Sequence, residues 1–229
     1  MPIDLFNSIS AGYDQTNRVL SFGLDRTWRD RMREHLPAGN GLRVLDLATG
    51  TADVAIAMAS DPRVVEVIGI DLSDGMLSLG KEKVFAKGLS DKVRLEKGNA
   101  LALEFSDKSF DVVTVGFGVR NFGDLIKGLT EAYRVLKPGG RIIALEFSLP
   151  ASPLSRSGYR FYLKWCVPFI GGLCTGRISA YNYLVRTILA FPYGERFERI
   201  MAQVGFMDGA RCSLMAGGVT IYTAVRARE

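Results

Sequence analysis

The sequence predicts an α/β fold: a doubly wound, mostly parallel sheet of seven strands with helices on both faces. Three observations predict it. Between Gly41 and Ser148, short β-rich runs alternate with helical patterns. A strand runs into a helix through the glycine-containing turn Leu45–Asp53, where open α/β sheets bind their ligands. Two alternating runs near the end, separated by Gly217 and Gly218, read as a closing hairpin.

The elements follow in order. Residues 4–36 read as two or three short helices. Arg43–Leu47 is an apolar strand and residues 52–60 a helix. Val64–Ile70 is the second strand, followed by a helix over residues 73–87. Val93–Glu96 is the third strand and Phe110–Phe117 the fourth, with a helix over 124–136. Arg141–Phe147 is the fifth strand. Residues 150–192 break the alternation; they are rich in aromatics and read as a helical insert. Glu195–Val204 is helical, and Arg211–Leu214 and Val219–Ala224 are the closing strands. No Pro/Ser-rich linker divides the chain. One domain is therefore expected over residues 1–229. It comprises a helical lid (1–40), a ligand-binding core (41–149), the insert (150–192) and a closing helix and hairpin (193–229).

Composition narrows the class. The 229 residues are 48% hydrophobic, enough apolar surface to offset chain entropy. Three cysteines without C-x-x-C spacing exclude a disulfide scaffold and suit a reduced, cytoplasmic setting. Met1-Pro2-Ile3-Asp4 begins no secretory signal. The most apolar run, Leu163–Cys174, contains Lys164, Pro168, Gly171 and Gly172, and is too short to cross a membrane, although it is greasy enough to touch one. A balance of 29 basic to 24 acidic residues, net +5, permits an anionic partner without demanding one. Basic residues interleaved with aromatics are confined to one short cluster, so no nucleic-acid partner is expected. One histidine and scattered cysteines make no metal set.

Candidate site residues lie at the ends of successive strands. Asp46 and Gly50 belong to the first turn, and Gly50 permits close backbone approach. The turn lacks the G-x-G-x-x-G that a pyrophosphate requires. With one glycine and two acidic residues it suits a cationic ligand such as a sulfonium carrying an α-amino group, or serves turn geometry alone. Asp71 closes the second strand, placed either to take two ribose hydroxyls or to cap the next helix with Ser73 nearby. Gly98-Asn99-Ala100 follows the third strand, where an amide or backbone N–H could read adenine.

Several further motifs carry a resemblance that covers nearly the whole chain. They are Phe6-x-x-Ile9-Ser10-x-x-Tyr13-Asp14, Leu20-Ser21-Phe22-Gly23, Asp71-x-Ser73, Phe117-Gly118-Val119-Arg120-Asn121, Arg134–Gly140 and Tyr181-x-Tyr183-Leu184. The chain resembles the ubiquinone/menaquinone biosynthesis C-methyltransferases of the UbiE/MenG type, and so a Rossmann-like class I S-adenosylmethionine-dependent methyltransferase. The resemblance implies S-adenosyl-L-methionine as methyl donor and a prenylated quinol as acceptor. It places the cofactor on Thr51, Asp71, Asn99 and Ala100, with Gly116 at a position where the family often has Ser. It also assigns catalysis to Arg120 and Asn121. Tyr13 and Asp14 are expected to close over the cofactor.

Arg120 does not readily give up its proton, so it and Asn121 are expected to orient a water and stabilise a developing phenolate, with Glu146 and Asp14 as candidate proton acceptors. His35 reads as a surface residue. Aromatic and aliphatic residues from Tyr159 to Ile170 either line a groove for the isoprenoid tail or form the insert's own core. Arg26, Arg29 and Arg33 share a helix face that is either solvated or rests on anionic lipid. A peripheral membrane contact and a homodimer are left open.

The chain departs from the family at Ala52, where the turn usually has Gly, and at Arg177, Ser179, Arg186 and Tyr222. These put the acceptor in question. Other readings are methylation of a different small aromatic and a non-catalytic subunit of a quinone-synthesis complex. A nicotinamide-dependent dehydrogenase lacks its glycine triplet.

Overall fold

The computed structural model describes residues 14–228; Tyr13 lies outside them. Residues 14–20 are helical, and α1 spans Leu24–Met32. Then follow β1 (Leu42–Leu47), α2 (Asp53–Ala59), β2 (Val64–Asp71), α3 (Asp74–Ala86), β3 (Val93–Lys97) and β4 (Phe110–Gly116). A 3-10 turn, Val119–Asn121, leads to α4 (Leu125–Val135) and β5 (Leu136–Phe147). The insert holds α5 (Pro153–Phe161), a π-turn (Tyr162–Cys166), α6 (Val167–Thr175) and α7 (Ile178–Ala190). The chain closes with α8 (Glu195–Val204), β6 (Phe206–Leu214) and β7 (Val219–Arg226).

The sheet order is β3-β2-β1-β4-β5-β7-β6. Strands β1 to β5 pair in parallel, and β7 enters antiparallel between β5 and β6. This is the seven-stranded, mostly parallel sheet the sequence predicts. The order reverses at β1, so the chain leaves β1 and β4 in opposite directions and opens a crevice above their carboxyl ends.

Strand alternation builds two apolar layers. Leu42 and Val44 of β1 face α1 and α2, with Trp28, Met32 and Met58. Leu45 and Leu47 face the other side, with Phe110, Leu129 and Phe197. A third cluster ties the insert to the body through Leu149, Leu163, Val167, Tyr181 and Ile188. Within it Tyr181 lies flat against Gly171, where an added Cβ would come within 2.3 Å of the ring.

Caps fix the helix starts near the crevice. The Ser73 hydroxyl accepts from Met76 N–H at the head of α3, and the Asp124 carboxylate accepts from Lys127 N–H at the head of α4. Two strands start earlier than the sequence pattern suggests. In β5 the segment Lys137–Gly140 loops out between Leu136, paired with Phe110, and Arg141, paired with Val112. In β6 a shift between Met207 and Ala210, with Asp208 at φ 52°, breaks the alternation that would have revealed the strand.

Candidate active site

The turn after β1 is held from below. Asp46 is fully buried, and each of its oxygens accepts a hydroxyl at 2.6 Å, one from Thr49 and one from Thr114 of neighbouring β4. Burial pushes its carboxyl up to about 6, against the lowering pull of the two threonines. Asp46 therefore does not reach the crevice as the sequence suggests; it braces the turn that does. Gly50 takes φ +55°, and its N–H donates to Asp71 at 2.9 Å. The other Asp71 oxygen accepts from Ser73 N–H at 2.9 Å, and burial raises its carboxyl despite these bonds. Asp71 thus joins the end of β2 to the turn and still presents its edge to the crevice.

The crevice above these residues has two connected compartments. The first is bounded by Gly50, Thr51, Asp53, Asp71, Gly116 and Phe117. The second is bounded by Asp71, Gly98, Asn99, Ala100 and Leu101. Ala48, Asp71 and Asn121 border both. The predicted Gly50, Thr51, Asp71, Asn99, Ala100, Gly116 and Asn121 are thereby brought onto one cleft. At Gly116, an added Cβ would come within 2.6 Å of Val54 Cγ2, so Val54 fills the room that the family's serine would occupy.

Strain concentrates on this rim. Ala48 (φ 50°), Ala52 (φ 66°) and Phe117 (φ 56°) are left-handed without being glycine, each at a cost of about 1–2 kcal/mol. Ala52 thus occupies a conformation suited to the family's glycine. Its methyl is fully buried against α3, which offsets part of that cost.

Residues before β1 clamp the turn. Asp14 accepts from the Thr51 hydroxyl at 2.7 Å, and Lys83 Nζ donates to Asp14, Thr51 and Asp53 at 2.5–2.9 Å. Asp14 therefore serves the lid contact and is committed to Lys83 and Thr51. Arg29 pairs with Asp25 at 2.5 Å, approaches Asp53 at 3.7 Å and borders the cleft. Arg33 pairs with Asp30. Arg26, Arg29 and Arg33 do not form the shared outer face the sequence suggests, because Arg29 is turned inward.

A third, apolar chamber adjoins the cleft, and Arg29 and Phe117 border both. Its walls include Trp28, Phe147, Tyr159, Tyr162, Leu163 and Leu184. Phe117 stands between cleft and chamber, 4.6 Å from the Phe147 ring, with the Arg29 guanidinium 5.9 Å from its centroid. Of the insert residues expected to line a groove, Tyr159, Tyr162, Leu163 and Val167 do so, whereas Phe161, Trp165 and Phe169 face outward. The Tyr159 and Tyr162 hydroxyls donate to the carbonyls of Gly218 and Leu20, and burial pushes both phenols up, so neither is a base.

Arg120 lies behind the wall formed by Phe117 and Phe147, bordering neither cleft nor chamber. Its side chain is buried; Nη1 donates to Glu146 at 2.8 Å and to the Phe117 carbonyl at 2.5 Å, and the guanidinium lies 5.3 Å from the Phe147 centroid. Its Nε–H is buried without a hydrogen-bond partner among the described residues. Glu146 is fully buried and also accepts from Phe147 N–H at 2.9 Å. It acts as the anchor of Arg120. Asn121 accepts from the Tyr183 hydroxyl at 3.2 Å, which leaves its amide N–H groups for the cleft.

His35 sits at the opposite end of the sheet, where its carbonyl accepts from Arg141, too far from the crevice to act there. Arg177, Ser179 and Arg186 are exposed, and Tyr222 is buried with its hydroxyl accepting from Gly194 N–H at 2.7 Å. None of these departures borders the chamber. Sequence reasoning missed the roles of Phe117, Arg29 and Lys83. Only the position of Phe117 at a strand end within the Phe117–Asn121 motif gave a signal.

A reversed parallel sheet with an antiparallel seventh strand, and a cleft over β1, β2 and β4, defines the class I methyltransferase fold. A SAM-dependent methyltransferase structure from Thermotoga maritima matches it with a TM-score of 0.68 at 17% identity, over 97% of this chain and 98% of that one. The chain belongs to the ubiE/COQ5 methyltransferase family, whose model matches residues 3–226. It is 45% identical over 221 residues to the ubiquinone/menaquinone biosynthesis C-methyltransferase UbiE of Geobacter sulfurreducens, covering 96% of this chain and 86% of that protein. It is 46% identical over 203 residues to the demethylmenaquinone methyltransferase of Deinococcus radiodurans, covering 89% and 83%.

Proposed function

We propose that this protein transfers a methyl group from S-adenosylmethionine to a ring carbon of a prenylated quinol in menaquinone/ubiquinone biosynthesis, converting demethylmenaquinol to menaquinol. The observation that carries the reading is the junction at Phe117. There a polar cleft ending on Asp71 and Asn99 meets an apolar chamber lined by aromatics.

The cleft fits the cofactor. Asp71 offers a carboxylate edge to two ribose hydroxyls. Asn99 already accepts from Leu101 N–H at 2.9 Å, which turns its amide donors outward beside Ala100 and Leu101 for the adenine. Arg29, at the edge of the cleft, would pair with the amino-acid carboxylate, and Gly50 and Thr51 would bring backbone close to it. When bound, the cofactor supplies an electrophilic methyl on a sulfonium.

The chain does the rest by positioning and by favouring the phenolate. Phe117 and Phe147 hold the quinol ring face, and the chamber excludes water, which strengthens electrostatics at the junction. A phenolic hydroxyl ionises near a pKa of about 10, so the site must stabilise the anion. Asn121, which borders the cleft, offers its amide N–H groups for that, and Arg120, behind Phe117 and Phe147, holds the Phe117 carbonyl at the junction and adds its positive charge from there. The hydroxyl proton leaves by way of a water held at the Asn121 amide, which passes it to bulk solvent. Glu146 and Tyr183 are positioning residues that fix Arg120 and Asn121. Residues 1–40 serve as the lid and 150–192 as the acceptor-binding insert of one functional unit. The greasy insert makes a peripheral membrane contact.

The discriminating experiment compares methyl transfer to short-tailed demethylmenaquinol and to a benzoquinol of equal tail length. The naphthoquinol should be the faster acceptor, with turnover lost in Arg120→Ala and in Arg120→Lys. Near-normal turnover in both variants would remove Arg120 from the mechanism.

A further inference from the structure

The insert has two unlike faces. Helices α5 and α6 and the π-turn between them form one continuous helical run, Pro153–Thr175. Its inner side, through Tyr159, Tyr162, Leu163 and Val167, lines the chamber. Its outer side carries Leu154, Phe161, Trp165, Phe169 and Leu173, each between 61% and 84% exposed, and Ile178 continues the row on α7. Soluble surfaces seldom expose so many large apolar side chains together unless something covers them.

Charge identifies what covers this one. From Ser148 to Gly194 the chain contains no aspartate or glutamate, but it has Arg156, Arg160, Lys164, Arg177 and Arg186. The remainder of the sequence balances at 24 basic and 24 acidic residues, so the entire net charge of +5 resides in the insert. Arg160, Lys164, Arg177 and Arg186 are exposed, and Lys164 stands over the Trp165 ring at 5.6 Å. A second copy of the same face would bring its exposed cations, Arg160 and Lys164 among them, against their own kind, which opposes self-association. Exposed aromatics flanked by cations with no anion match the boundary between acyl chains and acidic headgroups.

We propose that the outer face of the insert docks on an anionic lipid bilayer. Phe161, Trp165 and Phe169 enter the headgroup boundary, and the basic residues pair with lipid phosphates. This deepens the methyl-transfer reading, and rests on it only in that the acceptor's tail would pass from the bilayer to the chamber on the same helix's other face.

The test is flotation of the full chain with vesicles of phosphatidylcholine alone, or with about one-third phosphatidylglycerol, an anionic fraction that gives a negative surface potential. Recovery is expected with the anionic vesicles only, with a blue shift of tryptophan emission from Trp165, the other tryptophan, Trp28, being buried already. Phe161→Ser/Phe169→Ser and Arg160→Gln/Lys164→Gln should each weaken partitioning by about tenfold or more. Both should keep their affinity for adenosylhomocysteine and their methyl transfer to short-tailed quinol, while transfer to long-tailed quinol in vesicles falls. Equal recovery with both vesicle types, undiminished binding by the double variants, or a wild-type dimer that these variants dissolve would overturn the proposal. Loss of short-tailed transfer in the wild type with vesicle binding intact would instead sink the methyl-transfer reading and leave the docking surface standing.

Discussion

Replacing Glu146 by leucine removes the only carboxylate that faces Arg120 among the described residues. The two side chains are 0% and 4% exposed and meet at 2.8 Å, so the arginine is left charged, buried and without its counter-ion. Breaking such a pair costs about 3–5 kcal/mol, a large share of the roughly 5–15 kcal/mol that holds a domain together. Arg120→Met should cost a similar amount, because Glu146 is then the stranded charge. The double variant holds no buried charge. Its residual loss is about 1–3 kcal/mol, from the N–H groups of Phe147 and Arg120 that Glu146 now accepts from. Urea unfolding followed by tryptophan emission measures all four proteins. The cycle should show a coupling of at least about 3 kcal/mol between the two sites. All three variants should lose methyl transfer yet keep adenosylhomocysteine affinity, since Arg120 borders neither compartment of the cleft. Additive losses, or single variants as stable as wild type, would refute the anchoring role of Glu146.

Three further outcomes follow from the site. The Asp46 carboxyl, raised to about 6 by burial, keeps a proton between roughly pH 4 and 6 that the unfolded chain has released, so its contribution to stability falls as pH rises through that window. Asp46→Asn should flatten this part of the stability curve and raise stability at pH 7 by at most about 3 kcal/mol, read by thermal unfolding across pH; an unchanged slope would contradict it. Asp71→Ala should weaken adenosylhomocysteine binding about a hundredfold in calorimetry, through two lost charge-assisted hydrogen bonds and release of the Gly50 turn. Gly116→Ser should destabilise by about 1–3 kcal/mol, because its Cβ meets Val54, and adding Val54→Ala should recover most of that loss in the same denaturation assay.

Much of the frame was legible because it follows local rules. Strand alternation and the turn at Gly50 located β1 to β4, and the cleft residues Asp71, Asn99 and Gly116 lie where strands end. The hidden parts depend on contacts distant in sequence or on backbone angle. Glu146 meets Arg120 across 26 residues, and nothing near either one announces the pair. Arg29 shares a helical spacing with Arg26 and Arg33, yet Asp25 and Asp53 draw it inward. Asp46 looked like a ligand contact, but strand register places it opposite Thr114, and the threonine takes its oxygen. Whether the insert's apolar residues line a groove or form its own core stayed open in the sequence, because composition does not say which face of a helix is covered.

The central claim is tested most directly by turnover with deuterated-methyl S-adenosylmethionine and short-tailed demethylmenaquinol, locating the label in the product by NMR. The account predicts the label on the quinol ring carbon next to a hydroxyl, with far less of it at the same cofactor concentration when Asp71 is replaced by alanine. A label on oxygen, or a cofactor that leaves its methyl untransferred while bound, would contradict it.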